Sequence, residues 1–103
     1  MLMQLTAEDF AALGFWEDVT PEEQIVVYGM DFGDDYVLLT DELGRTPAQA
    51  QAIIVAAVYD GSDCFLWGRE IKDFAALKEL CQGREPGSSE ILNALADYKL
   101  PKK

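Results

Sequence analysis

The chain has 103 residues, half of them apolar and 11% aromatic, which suits one closed core and argues against a disordered chain. Nineteen acids against eight bases give a formal charge of −11, which excludes a surface built to neutralise nucleic-acid phosphate or an anionic bilayer. With no histidine, Ser-His-Asp and Cys-His catalysis are excluded outright, and no stretch reaches the ~20 apolar residues of a membrane span.

The first residues, Met1–Leu5, carry neither a basic region nor an apolar run of signal-peptide length, so a cytoplasmic protein is expected. Thr6 then has the makings of a helix start. Its hydroxyl can cap the Asp9 amide, Asp9 can reach back as in a capping box, and Leu5 can staple against Phe10. The helix is expected over 7–13, with Gly14 stopping it and Phe15 and Trp16 anchoring it to a sheet. Thr20-Pro21-Glu22-Glu23 is a second start signal, with room for a single turn.

Gln24–Met30 and Tyr36–Thr40 are rich in β-branched and aromatic residues, and the Asp31–Asp35 stretch between them has turn composition, so 24–40 reads as an antiparallel hairpin. Thr46–Tyr59 is ambiguous, since Thr46-Pro47 is a good helix start and 48–57 is alanine-rich whereas Ile53–Tyr59 reads as strand; 46–52 is read as a loop or single turn, with a helix there left open. Two further strands over 52–70 are joined at Asp60-Gly61-Ser62-Asp63, the second hairpin. The run 52–59 is apolar on both faces, as in a strand that is central or covered on its second side. Asp73 caps a helix over 73–82 whose Phe74, Leu77, Leu80 and Cys81 share one face. After a Pro/Gly linker, Ser88 or Ser89 caps a last helix over 89–99, with Ile91, Leu92, Leu95 and Tyr98 inward. The expected fold is therefore a single α+β domain, 1–103: a four-stranded antiparallel sheet with one short N-terminal and two C-terminal helices, mostly on one face. Small size leaves self-association, as a homodimer or larger, an open option.

Chemistry is sparse. Cys64 and Cys81 fit neither a disulfide framework nor a metal-ligand spacing, and both read as reduced core thiols. Asp31-Phe32-Gly33 repeats the letters of the kinase magnesium motif without the glycine loop, lysine or length that would give it meaning. The acidic loops lack EF-hand spacing, so no metal and no cofactor is expected. Adjacent carboxylates such as Asp34–Asp35 or Asp41–Glu42 are poor acid/base pairs, because strand neighbours point to opposite faces and turn residues are solvated.

Charge placement carries the functional reading. Residues 1–44 hold eleven acids and no Lys or Arg, while 45–103 hold eight of each sign. In the first hairpin the acids gather at two ends: Asp31, Asp34 and Asp35 at the loop, and Glu22, Glu23, Asp41 and Glu42 at the other, about 17 Å away across five strand residues. These seven acids are the candidate contact residues for a basic protein partner, together with Trp67, which lies on the strand face away from Cys64 and Leu66 and is either covered by Phe15, Trp16 or the last helix or exposed with Phe65 as an aromatic patch. The function expected is a non-catalytic interaction or accessory module. Two alternatives stand beside it: a nucleic-acid-mimicking inhibitor of a DNA- or RNA-binding protein, and a small carboxylate-dependent enzyme. Direct nucleic-acid binding and membrane association are not expected.

Overall fold

In the computed structural model, residues 4–21 and 23–100 are described; Glu22 lies outside them. Three of the local signals for a helix start find their hydrogen bonds, whereas at Thr20-Pro21 no helix follows and the Thr20 hydroxyl accepts from the Ile25 amide at 3.0 Å. The Thr6 amide donates to the Asp9 carboxylate at 2.8 Å, opening α1 (Ala7–Ala11). Asp73 accepts from the Ala76 amide at 2.9 Å at the start of α2 (Phe74–Cys81), and Ser88 from the Ile91 amide at 3.4 Å at the start of α3 (Ser89–Asp97). The C-terminal helices thus lie within the expected spans, and α1 is two residues shorter than expected.

The sheet has five strands, one more than expected. They are β1 (Trp16–Val19), β2 (Val26–Phe32), β3 (Asp35–Asp41), β4 (Ile54–Tyr59) and β5 (Phe65–Ile71), in the order β1-β2-β3-β4-β5 and antiparallel throughout. The added strand is β1, read from sequence only as an anchor. It pairs along its whole length with β2, and its Trp16 ring lies across Gly29, where any Cβ would fall inside the indole's van der Waals envelope. The glycine gap is what lets the tryptophan lie flat.

Strand alternation separates two faces. One carries Tyr28, Met30, Val37, Leu39, Ile54, Ala56, Val58 and Ile71, all buried, and receives Phe10 of α1, Leu77 and Cys81 of α2, and Ile91 and Leu95 of α3. Phe10 is the keystone of the small first helix. It stacks on Tyr28 at 4.1 Å between centroids and meets Phe15 and Phe74 edge-on. The connection between β3 and β4 has no helix. It is pinned by Thr46 Oγ1 donating to the Val26 carbonyl at 2.7 Å and by the Leu5 amide donating to Ala48 O at 2.6 Å.

Two expectations about β5 are corrected. A bulge at Val58/Tyr59 shifts the register, so Phe65 pairs with Tyr59 and Trp67 with Val58. Trp67 consequently packs against the core on the helix side, and Arg69 lies 4.8 Å above its ring while donating from Nε and Nη2 to the Ala96 carbonyl near the end of α3. Cys64, expected in the core, is exposed in the β4–β5 turn; Cys81 is buried as expected.

Candidate functional site

A five-strand meander puts alternate turns at the same end of the sheet, and this decides where the acids meet. The β2–β3 turn is tight. Phe32 pairs with Asp35, leaving Gly33 and Asp34 as the loop, with Gly33 at φ +69° as the primed hairpin turns require. The β4–β5 turn, 60–64, is built on Asp60, whose Oδ1 accepts from the Ser62 amide at 2.8 Å and the Cys64 amide at 3.0 Å. The two turns touch: a Cβ on Gly61 would stand 3.2 Å from the Asp34 carbonyl oxygen.

Asp31, Asp34, Asp35, Asp60 and Asp63 are thereby gathered at one end of the sheet. Asp31, Asp34 and Asp63 are exposed, and Asp35 and Asp60 half-buried. Asp63 sits in the left-handed region at φ +64°, a conformation aspartate tolerates, and this aims its carboxylate back across the strands. There Oδ1 accepts the Tyr36 hydroxyl at 2.6 Å. That hydrogen bond, helped by desolvation and the nearby negative charges, pushes the Tyr36 phenol up to about 12. Tyr36 stacks on Tyr59 at 5.3 Å, and Tyr59 meets Phe65 edge-on at 5.9 Å. The result is an aromatic row on the sheet face opposite the helices, bordered by aspartates, with Phe65 61% exposed.

The other candidates are placed apart from this cluster. Glu23 and Glu42 are exposed at the far end, where Glu23 and Gly44 line one shallow hollow. Asp41 is half-buried, and its Oδ1 accepts from the Leu43 and Arg45 amides, so it shapes its own turn. Trp67 is under Arg69 on the helix side. Sequence reasoning missed Asp60 and Asp63 as partners of the first hairpin's acids, although it had read both hairpins. Counting turns along the meander would have found them.

The carboxylate bonds found at this end come from backbone amides and a phenol, which fix turn shape and leave acceptor-only groups facing out. Among the described residues no three His, Cys, Asp or Glu side chains converge on a metal-sized site, and no helix is long and apolar enough to cross a membrane. Compared with models of protein families, with curated proteins and with solved structures, the chain matches none.

Proposed function

We propose that the chain is a cytoplasmic, non-catalytic interaction module that takes a basic protein partner at the aspartate end of its sheet. The observation that carries this reading is the placement of five aspartates, from two touching turns, at one end of the sheet beside exposed aromatic surface. Like charges held close by a rigid sheet repel one another and gain free energy when a cationic surface neutralises them. The field of such a patch can raise association rates by roughly 10–10³-fold at low salt. Two arginines are engaged elsewhere: Arg69 at the Ala96 carbonyl, and Arg84 through Nη1 at the Leu80 carbonyl.

The alternatives draw less support. A nucleic-acid mimic needs carboxylates in rows at phosphate spacing, and these form a patch at two turns. A carboxylate enzyme needs its acids convergent in a concave site. Asp34 and Glu42 are exposed at opposite ends, and the hollows of about 510 and 570 Å³ are lined from β5–α3 and α2, with none of the five aspartates among their residues.

The test is retention of lysate proteins on the immobilised chain at low salt, elution by a salt gradient and identification by mass spectrometry, run beside the Asp31/Asp34/Asp35→Lys variant. The proposal expects a basic protein eluting at a defined salt step from the native chain and not held by the variant. Identical retention by both, or none by either, overturns it.

A further inference from the structure

The face opposite the helices has an ordered relief. Register aligns three rows across the strands on that face. The first is Asp31, Tyr36, Tyr59 and Phe65. The second is Trp16, Gly29, Leu38, Ala57 and Gly68, mostly low side chains, with the Trp16 ring over Gly29 and the Phe65 ring 3.6 Å from where a Gly68 Cβ would stand. The third begins at Asp18 and ends at Glu70, with Val27, Thr40 and Val55 between. Between those two rings the middle row dips at Leu38 and Ala57, both half-buried with no helix above them, as a short trough.

Its dimensions are set by the sheet. Successive rows are two residues apart along each strand, about 7 Å, so the flanking rows stand about 14 Å apart. That spacing is backbone to backbone and the border side chains take part of it, so an α-helix, about 10–12 Å across with its side chains, lies along the row and reaches both borders. The charged strand side chains on this face, Asp18, Asp31 and Glu70, are acidic, and the aspartates of both turns continue beyond the aromatic row, while Arg69 and Lys99 line a hollow with Val55, Gly68 and Glu70 at the β5 edge. Charge therefore selects the occupant. A second copy of this chain would bring two acidic borders together, and a phosphate-bearing lipid or nucleic acid would meet the same repulsion.

We infer that this trough is the docking groove for a basic amphipathic helix of the partner, its aliphatic stripe on Leu38 and Ala57 and its Lys or Arg side chains toward Asp18, Asp31 and Glu70. The inference rests on the reading above, and adds an apolar contact that the aspartate end alone does not require. Steering by the aspartates sets the rate of encounter; burial of the stripe slows departure.

Two 14-residue synthetic peptides test it by titration calorimetry. One has leucine and lysine at helical period; the other has the same lysines with serine for every leucine. The native chain is expected to bind the leucine peptide at least tenfold more tightly than the serine peptide. Ala57→Gln is expected to remove most of that difference while leaving the serine peptide's affinity within twofold; if Leu38→Gln folds to the native circular dichroism spectrum, it should do the same. Asp31/Asp34/Asp35→Asn is expected to weaken both peptides and flatten their salt dependence. Equal binding of the two peptides overturns the groove and leaves the aspartate reading standing, whereas no binding of either at low salt removes both. Sedimentation showing a dimer that Ala57→Gln dissociates would give the face to a second copy and overturn the inference.

Discussion

Phe10→Ala is expected to remove about 3–5 kcal/mol, a large share of the ~5–15 kcal/mol that holds a domain of this size together. Phe10 has no exposed surface, and three rings wall it: Tyr28 stacked at 4.1 Å and 8°, Phe74 edge-on at 5.2 Å and Phe15 edge-on at 6.4 Å. Truncation loses the transfer free energy of the benzyl group and opens a cavity bordered by β2, α2 and the α1–β1 connection. Closing that cavity would mean moving three elements, so relaxation recovers little and the cost falls in the upper half of the range. The consequence for α1 is larger still, since a five-residue helix has no independent stability and exists because Phe10 is docked. Urea denaturation followed by circular dichroism should show a lower midpoint with an unchanged slope. Phe10→Leu, which keeps much of the volume, should cost on the order of 1–2 kcal/mol and supplies the measurement if the alanine variant does not fold. A loss below about 1 kcal/mol for Phe10→Ala would refute the packing argument, because no solvent-excluded phenylalanine between three rings can be truncated so cheaply.

The two thiols should separate cleanly. A disulfide reagent is expected to modify one cysteine per native chain at once, the exposed Cys64, and the second only on denaturation, because burial pushes the Cys81 thiol up to about 11 against a smaller opposing pull from Arg84. Two fast thiols in the native chain would mean that the α2 face is open. Tyr36, held near 12, should ionise after an ordinary phenol when tyrosinate absorbance is followed with pH, and Asp63→Asn should return it toward 10. The sign follows from linkage. A folded-state pKa raised above the unfolded value contributes stability that is fully present below pH ~10 and is lost as pH climbs through about 12, so Tyr36→Phe should flatten that alkaline slope. An unshifted phenol would mean that the Asp63 bond does not persist in solution.

The parts of the fold that local chemistry dictates were legible in the sequence. The caps at Asp73 and Ser88, the turn at 60–63 and the inward face of Leu77, Ile91 and Leu95 each depend on residues within a few positions of one another. What escaped depends on a neighbour far along the chain. Trp16-Glu17-Asp18-Val19 is short and half acidic, and nothing in it alternates like a buried strand; its strand character comes from β2 and from the gap at Gly29 that receives the indole. Cys64 was misplaced because it falls in the turn before β5 begins, and Trp67 for another reason. Counting by twos along β5 assumes an unbroken ladder, and the bulge at Val58/Tyr59 inserts one residue, which exchanges faces for every side chain beyond it.

The same distinction applies to charge. Along the sequence, the anomaly is a stretch of 44 residues without a cation, and it suggests that one hairpin carries the function alone. In the folded chain that stretch is divided. Glu23, Asp41 and Glu42 go to one end of the sheet, while Asp31, Asp34 and Asp35 go to the other and are joined by Asp60 and Asp63 from the half that is neutral overall. The electrostatic unit is therefore a pair of touching turns, and its strength depends on the meander that sets them side by side. A partner reading this surface would sense the spacing of two turns and the aromatic row between the strands, neither of which an isolated 24–40 hairpin possesses. Solubility alone would be served by acids spread evenly over the surface. Acids gathered beside an uncovered row of aromatic and low-profile side chains combine long-range attraction with a place for an apolar group to settle, which is what the proposed binding role requires of this end of the protein.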